Sequence, residues 1–334
     1  MADWTKRLKK DPTGWLLEES NPSVRYLTLV NILEKKETSA EVKRAKADVM
    51  RAGVVPRILG RQNEGSWNGP GRFYRDKYKG TAWQLLMLAE HEADGSDKRI
   101  KAACEYILRC SQDPESHGFS YDQRDRGTGG LHSGVIPCLT GNMVWSLVKL
   151  GFLGDERVRT GIDWITRYQR FDDGAAGKPA GWPYDRYEMC WGRHSCHLGV
   201  VKALKALSVI PKRRRNDDIK RSISNACEYL LAHHIYKRSH DLSKVSKPGW
   251  LRLQFPLMYQ TDILEIADLL VDLGIRDERM ADVLDLIRSK QNDQGRWLLE
   301  STLNGRFWVS IEKKGMPSKW ITYRAIKVLK RISE

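Results

Sequence analysis

Apolar residues recur at three- and four-residue spacing in five long stretches, roughly 80–92, 138–150, 190–207, 256–273 and 318–332. Trp83, Met87 and Leu88 carry the pattern in the first, and Val200, Leu204 and Leu207 in the third; this period predicts helices with a buried face. Between them, segments beginning near 41, 97, 155, 217 and 277 are richer in charge and predict the outer members of helix pairs. A pair at about 22–34 and 41–50 begins the series. The count is six less polar helices against five charged ones, with residues 3–10 as a short twelfth. Such an alternation predicts an all-α chain, one domain over residues 1–334, closed into an α/α toroid of about 11–12 helices. An open stack would leave an apolar flank at each end, whereas pairing the last helices with the first covers both.

An internal repeat supports that reading. An acidic residue and a base open each outer segment, and about 14 residues later come Gln and then a Gly-aromatic turn. One copy runs from Asp97 and Arg99 to Gln112, Gly118 and Phe119, a second from Asp155 and Arg157 to Gln169, Gly181 and Trp182. A third runs from Asp277 and Arg279 to Gln291, Gly295 and Trp297, and Gln62, Gly65 and Trp67 end an earlier one. The copy around Asp218 has lost the Gln and ends at His233, His234, Gly249 and Trp250. Gly suits a tight turn beside a large ring, and Gln suits a hydrogen bond to the backbone of the next repeat.

Composition narrows the setting. The 334 residues include twelve Trp, twelve Tyr and six Phe, enough apolar surface for a sizeable core. Lys and Arg exceed Asp and Glu by 15, so the surface attracts anions. Six scattered Cys, no N-terminal apolar signal segment and no 18-residue apolar run predict a cytoplasmic protein with reduced thiols and no transmembrane segment.

The motifs Gln62-Asn-Glu-Gly-Ser-Trp67 and Gln291-Asn-Asp-Gln-Gly-Arg-Trp297, with looser matches at 112–119 and 169–182, resemble those of the α/α toroids of the terpenoid cyclase and protein prenyltransferase superfamily. The resemblance covers about residues 15–332 and is that of a divergent, squalene cyclase-like member. It implies inner helices around a central cavity holding an isoprenoid or other elongated amphipathic substrate. The chemistry would then sit on the loops leading into them, here 66–80, 118–138, 174–190, 235–256 and 298–318. The chain departs from the acid motif of the cyclases, which has a further Asp two positions before two adjacent ones; Phe171-Asp172-Asp173-Gly174 lacks it. Asp173 and Asp262, the latter at the start of an apolar helix, are the candidate acids. Each reads equally as a helix cap or a solvent-facing turn residue.

Cys190-Trp-Gly-Arg-His194-Ser-Cys196-His197 is the densest chemical signal. In a continuous helix Cys190, His194 and His197 would share a face, and Cys138 opens the preceding inner helix. Cys196 lies on a different helical face and joins only if 190–196 form a loop or tight turn; Cys138, Cys190, Cys196 and His197 are then the expected zinc ligands, with His194 as a reserve ligand or base. Ordinary buried thiols beside exposed histidines are the alternative. Prenyltransferases hold zinc with an Asp-x-Cys pair and a distant His; no Asp-x-Cys occurs here, so their ligands do not carry over.

Tyr78, Tyr259, Trp191, Lys237 and Arg238 are the candidate substrate-binding residues, the last two in a histidine-rich basic loop suited to a phosphate group. Loop 118–132 carries His132 and a run of glycines suited to closing over a ligand. An enzyme acting on an isoprenoid-like or elongated amphipathic molecule, with zinc assistance, is the first reading. A zinc-stabilised interaction protein is the second. A nucleic-acid binder using the basic runs and the Arg-aromatic stretch at 72–79 is the third.

Overall fold

The computed structural model describes residues 3–69, 71–174, 177–303 and 305–334. A 3₁₀ turn at Asp3–Arg7 precedes α1 (Thr13–Leu16), α2 (Pro22–Asn31), α3 (Ala40–Arg51), α4 (Val54–Leu59), α5 (Thr81–Glu90) and α6 (Lys98–Ser111). Then come α7 (Pro137–Lys149), α8 (Glu156–Tyr168), α9 (Glu188–Trp191), α10 (His197–Ser208) and α11 (Asp217–Ala232). A two-stranded antiparallel hairpin, β1 (Lys237–Arg238) with β2 (Asp241–Val245), separates these from α12 (Ile263–Asp272), α13 (Ala281–Ser289) and α14 (Lys319–Arg331). The chain is mostly helical, as the periodicity predicts.

Helices α2, α5, α7, α10, α12 and α14 form the inner layer; every residue of α5 from Thr81 to Ala89 and of α14 from Lys319 to Lys330 is buried. Each leans on an amphipathic outer partner, α3, α6, α8, α11 and α13 in turn, while α14 leans on α1 and the opening 3₁₀ turn. Successive inner helices from α5 to α14 touch, α14 also touches α2, and Ser23 of α2 donates to the His91 carbonyl at the end of α5 (2.8 Å). The two ends of the chain therefore meet.

The repeat residues explain why. Asp97, Asp155 and Asp277 accept from the backbone N–H of Arg99, Arg157 and Arg279 two positions on, while the same Arg side chains close onto the Asp carboxylate. Each Asp–Arg pair thus caps an outer segment. Arg157 and Arg279 reach back to Glu105 and Glu228 on the preceding outer helices, tying neighbours together. Gln62 donates to the Arg99 carbonyl and Gln112 to the Arg157 carbonyl, each crossing to the following repeat. At the seam, Gln291 accepts from the Lys9 N–H (2.8 Å). Gly295, at φ +74°, lies so close to the N-terminal segment that a Cβ would stand 1.8 Å from the Lys10 carbonyl oxygen. Only glycine permits that approach.

A further regularity is the threonine in the first turns of α5, α7 and α14. Thr81, Thr140 and Thr322 accept through Oγ1 from the N–H of Trp67, Phe119 and Trp297, fixing the buried aromatic of each repeat on its inner helix.

The expected helix over 190–207 is broken. Residues 192–196 form a turn between α9 and α10, so Cys190, His194 and His197 do not share a helical face. Segment 256–262 is likewise loop, and α12 starts at Ile263. Trp182 departs from its repeat, lying half-buried with its ring stacked on His132 (4.3 Å, 18°). Trp191 sits in the core instead, edge-on to Trp164 and Tyr184.

Candidate functional site

On the ring axis, side chains from all six inner helices enclose a space of about 250 Å³. Its walls are ionic. Lys202 donates to both carboxylate oxygens of Glu265 (2.9 and 2.7 Å), and Lys205 bridges Glu265 and Glu90. Arg324 pairs with Glu90, and Lys327 with Asp268 (2.8 Å) and Asp272 (2.7 Å). Burial alone would raise the carboxyl pKa of Glu90, but Lys205 and Arg324 hold it at about 2; Lys202 and Lys205 do the same for Glu265. At Asp268 burial outweighs Lys327 and the group is pushed up to about 6. Removing such charges from water costs several kcal/mol per ion unless they are paired, so this network is core and the axis is not an apolar chamber.

The loops leading into the inner helices close the opposite end with aromatic rings. Tyr78 is buried, stacked on Tyr259 (6.3 Å, 18°) and edge-on to Trp83 (5.0 Å, 72°) and Phe307. Lys77 lies 4.8 Å from the Tyr259 ring centre. Asp262 caps α12, accepting from the N–H of Glu265 and of Gln254 (2.8 Å each); burial pushes its carboxyl up to about 6.

The expected zinc ligands are only partly brought together. Cys138 in the first turn of α7, Cys190 in α9 and Cys196 before α10 interact electrostatically, and burial with these neighbours drives the Cys138 thiol up to about 12 and Cys190 upward also. His197 turns away and stacks on Trp250 (4.2 Å, 24°), because the break at 192–196 separates α9 from α10. Among the described residues, one group of three His, Cys, Asp or Glu donors converges within 4.8 Å, and it is Asp113, Glu115 and His132. That group could hold a metal ion, and nothing in its oxygen and nitrogen donors selects zinc. Its atoms are already engaged. Asp113 accepts from His132 Nδ1 (2.7 Å), Ser116 Oγ (2.6 Å) and two backbone N–H groups, and Arg124 pairs with Glu115.

The remaining candidates converge at the rim, beneath the β1–β2 hairpin. Arg170, itself buried, grips Asp172 with two nitrogens (2.7 and 2.6 Å) and the carbonyls of Gly192 and Arg193, fixing loop 171–174 against the 192–196 turn. Asp172 is thereby spent on structure and Asp173 faces the other way. The Asp173 carboxylate accepts from Ser239 Oγ and stands 3.3 Å from His194 Nδ1 and 3.4 Å from His233 Nε2. His233 Nδ1 lies 3.0 Å from the Lys237 carbonyl and donates to it, so a neutral ring turns a lone pair toward Asp173. A proton on either partner turns that contact into a hydrogen bond, an arrangement suited to proton transfer.

Asp173, His194, His197, His233, Arg238 and Lys247 share a pocket of about 280 Å³, walled by Tyr229 and Trp250. A larger groove of about 540 Å³ between α8 and α11 joins it at Asp173 and Tyr229. It lies where the repeat has lost its tie. Gln169 bonds only to its neighbour's carbonyl, and its Oε1 is buried without a partner. Of the two basic hairpin residues, Arg238 lines the pocket, whereas Lys237 points away to Asp282 on α13. Sequence reading named Asp173, His194 and Arg238. It left His233, Ser239 and Trp250 unassigned, although the loss of Gln in favour of His233-His234 marked the place.

The geometry defines a helical ring protein of paired inner and outer helices with a polar, histidine-rich pocket on its rim. No family model matches the chain, and no curated protein matches it. Among solved structures it is similar to a protein from Actinoplanes at 14% identity and a TM-score of 0.45, over 94% of this chain and 90% of that one. It is also similar to the type II terpene cyclase MstE from Scytonema in its apo form, at 14% identity and 0.43 over 94% and 88%. For an MstE variant in complex with geranylgeranyl dihydroxybenzoate the values are 13% and 0.43 over 94% and 87%. Among the described residues no helix is long and apolar enough to cross a membrane.

Proposed function

We propose that the chain is a single-domain enzyme on a six-pair α/α ring, acting by proton transfer through Asp173 on an elongated amphipathic, isoprenoid-like molecule. The substrate lies in the rim pocket and the α8–α11 groove, with its apolar portion against Tyr229, Trp250 and Phe171. One observation carries the reading: the Asp173 carboxylate stands where the two cavities join, held by His194, His233 and Ser239. His233 shares the proton with Asp173, and His194 and Ser239 orient the carboxylate. Asp262 caps α12, and Tyr78 and Tyr259 brace the mouth of the ring. The ion-paired axis supports a rim location over a central one.

An untargeted assay tests this. Purified protein and its Asp173→Asn variant are incubated with a total lipid and metabolite extract, and small molecules are profiled by mass spectrometry. The expected result is a species consumed by the native protein about 100-fold or more faster than by the variant. Identical profiles would sink the assignment of Asp173.

A further inference from the structure

The rim pocket has two features that proton transfer at Asp173 does not use. First, Nε2 of His197 is a buried nitrogen without a hydrogen-bond partner on the pocket wall, whereas Nε2 of the neighbouring His233 faces Asp173. Buried polar atoms are rarely left so unless a ligand or water completes them. Second, Arg238 and Lys247 line the same pocket, and among the described residues no carboxylate lies within 4.0 Å of either. The flanking cations behave differently: Lys237 pairs with Asp282 and Lys244 with Asp241. Lys237 and Lys244 are thus spent on protein partners, while Arg238 on the hairpin and Lys247 just after it, both exposed, line the pocket.

Burial and the neighbouring His233 and Lys247 drive the pKa of His197 down to about 3, so it is neutral at physiological pH and donates only from its Nε2–H tautomer. The Asp173 carboxylate is the one acidic group on the pocket wall, and its charge is engaged by His194, Ser239 and His233. What remains is a guanidinium, an ammonium and one imidazole nitrogen. They come from the hairpin, the segment before Trp250 and the start of α10. Donors from several sides suit an anion with several oxygens better than a planar carboxylate.

We propose that this pocket binds a phosphate monoester group, with Arg238 and Lys247 supplying charge and His197 supplying a buried donor. The proposal rests on the rim pocket being the substrate site and adds the chemistry of the substrate's polar end. Trp250, which flanks His197 and lies 5.6 Å from Lys247 Nζ, provides the apolar floor beside it.

The experiment titrates the full-length protein with inorganic phosphate and, separately, acetate, following the histidine ring signals by NMR and the heat by calorimetry. Phosphate should shift the His197 ring and bind at least about tenfold more tightly than acetate. Arg238→Gln with Lys247→Gln should weaken phosphate about tenfold or more. Lys237→Gln, which removes a cation from the same hairpin but outside the pocket, should change affinity less than about twofold. Asp173→Asn should leave phosphate binding intact or tighter, because it removes the one negative charge from the wall. No ring shift with phosphate, equal affinity for acetate, or equal losses in the Lys237 and the Arg238 and Lys247 variants would each overturn the proposal. Because Asp173→Asn separates phosphate affinity from turnover, failure of the phosphate site and failure of Asp173 as the catalytic acid or base give different results.

Discussion

The ring axis and the rim pocket use the same kinds of residue to opposite ends. On the axis Glu90, Glu265, Asp268 and Asp272 are matched by Lys202, Lys205, Arg324 and Lys327 at ion-pair distance. At the rim, Arg238 and Lys247 meet no carboxylate among the described residues, and the His197 Nε2 is buried unpartnered. Saturated charge specifies how helices sit against one another, while unsaturated charge beside a cavity has a ligand still to find. Richness in titratable groups therefore does not by itself locate a site; the deciding quantity is what each group lacks.

The same acid-to-amide change should separate the two regions most strongly. Glu265→Gln leaves Lys202 buried opposite a neutral group and should cost about 3–5 kcal/mol of stability by denaturant unfolding. Asp173→Asn should cost less than about 1 kcal/mol, since its partners at the rim are partly solvated. Equal losses at both positions would mean that the rim contacts are structural too.

Acid titration of stability sharpens the contrast further. Glu90 and Glu265 sit at about 2 in the fold, below their unfolded value near 4.3. Their contribution is complete above that value and disappears as pH falls toward 2. Asp268 sits at about 6, so its contribution is complete below about 3.9 and is lost as pH rises through 6. It faces Lys327, Asp272, Arg324 and Tyr323. Asp268→Asn should reduce the slope of the Tm profile between about pH 4 and 6, Asp262 supplying the rest, while leaving the acid limb in place. An unchanged profile over that interval would remove Asp268 as a source.

The smallest expected effect concerns the junctions between repeats. Gln112→Leu removes bonds to the Arg157 and His117 carbonyls and should cost about 1–2 kcal/mol. Gln169→Leu removes one bond to the neighbouring carbonyl and an unpartnered Oε1, and should cost less than half as much. Comparable losses would show that the α8–α11 junction is tied as firmly as the others.

Much of the fold was legible because its signals are local. The apolar period placed α5, α7 and α14 within a few residues and started α10 and α12 seven residues too early, and the Asp-x-Arg and Gln-Gly-aromatic patterns hold a cap or a tie to the next repeat except at Gln169. The site was legible only in fragments. The zinc reading of Cys138, Cys190, Cys196 and His197 needed a loop within 190–196 to bring Cys196 round; the break at 192–196 is there, but His197 stacks on Trp250 instead. Trp191, read as a substrate-binding residue, is core, edge-on to Trp164 and Tyr184. The Asp172-Asp173 pair gave no hint of which acid would be held in an ion pair and which would meet the histidines, since the answer lies in Arg170 and in Ser239, 66 residues further on.

By itself the sequence determined that this chain builds alternating buried and charged helices and joins them in register, because helix period, capping and glycine approach depend on residues close in the chain. Tertiary structure alone decided that the axis fills with ion pairs and that Asp173, His194, His233 and Arg238 gather at the rim. Those outcomes depend on which distant side chains the closed ring presses together, and on which are left without a partner when it closes.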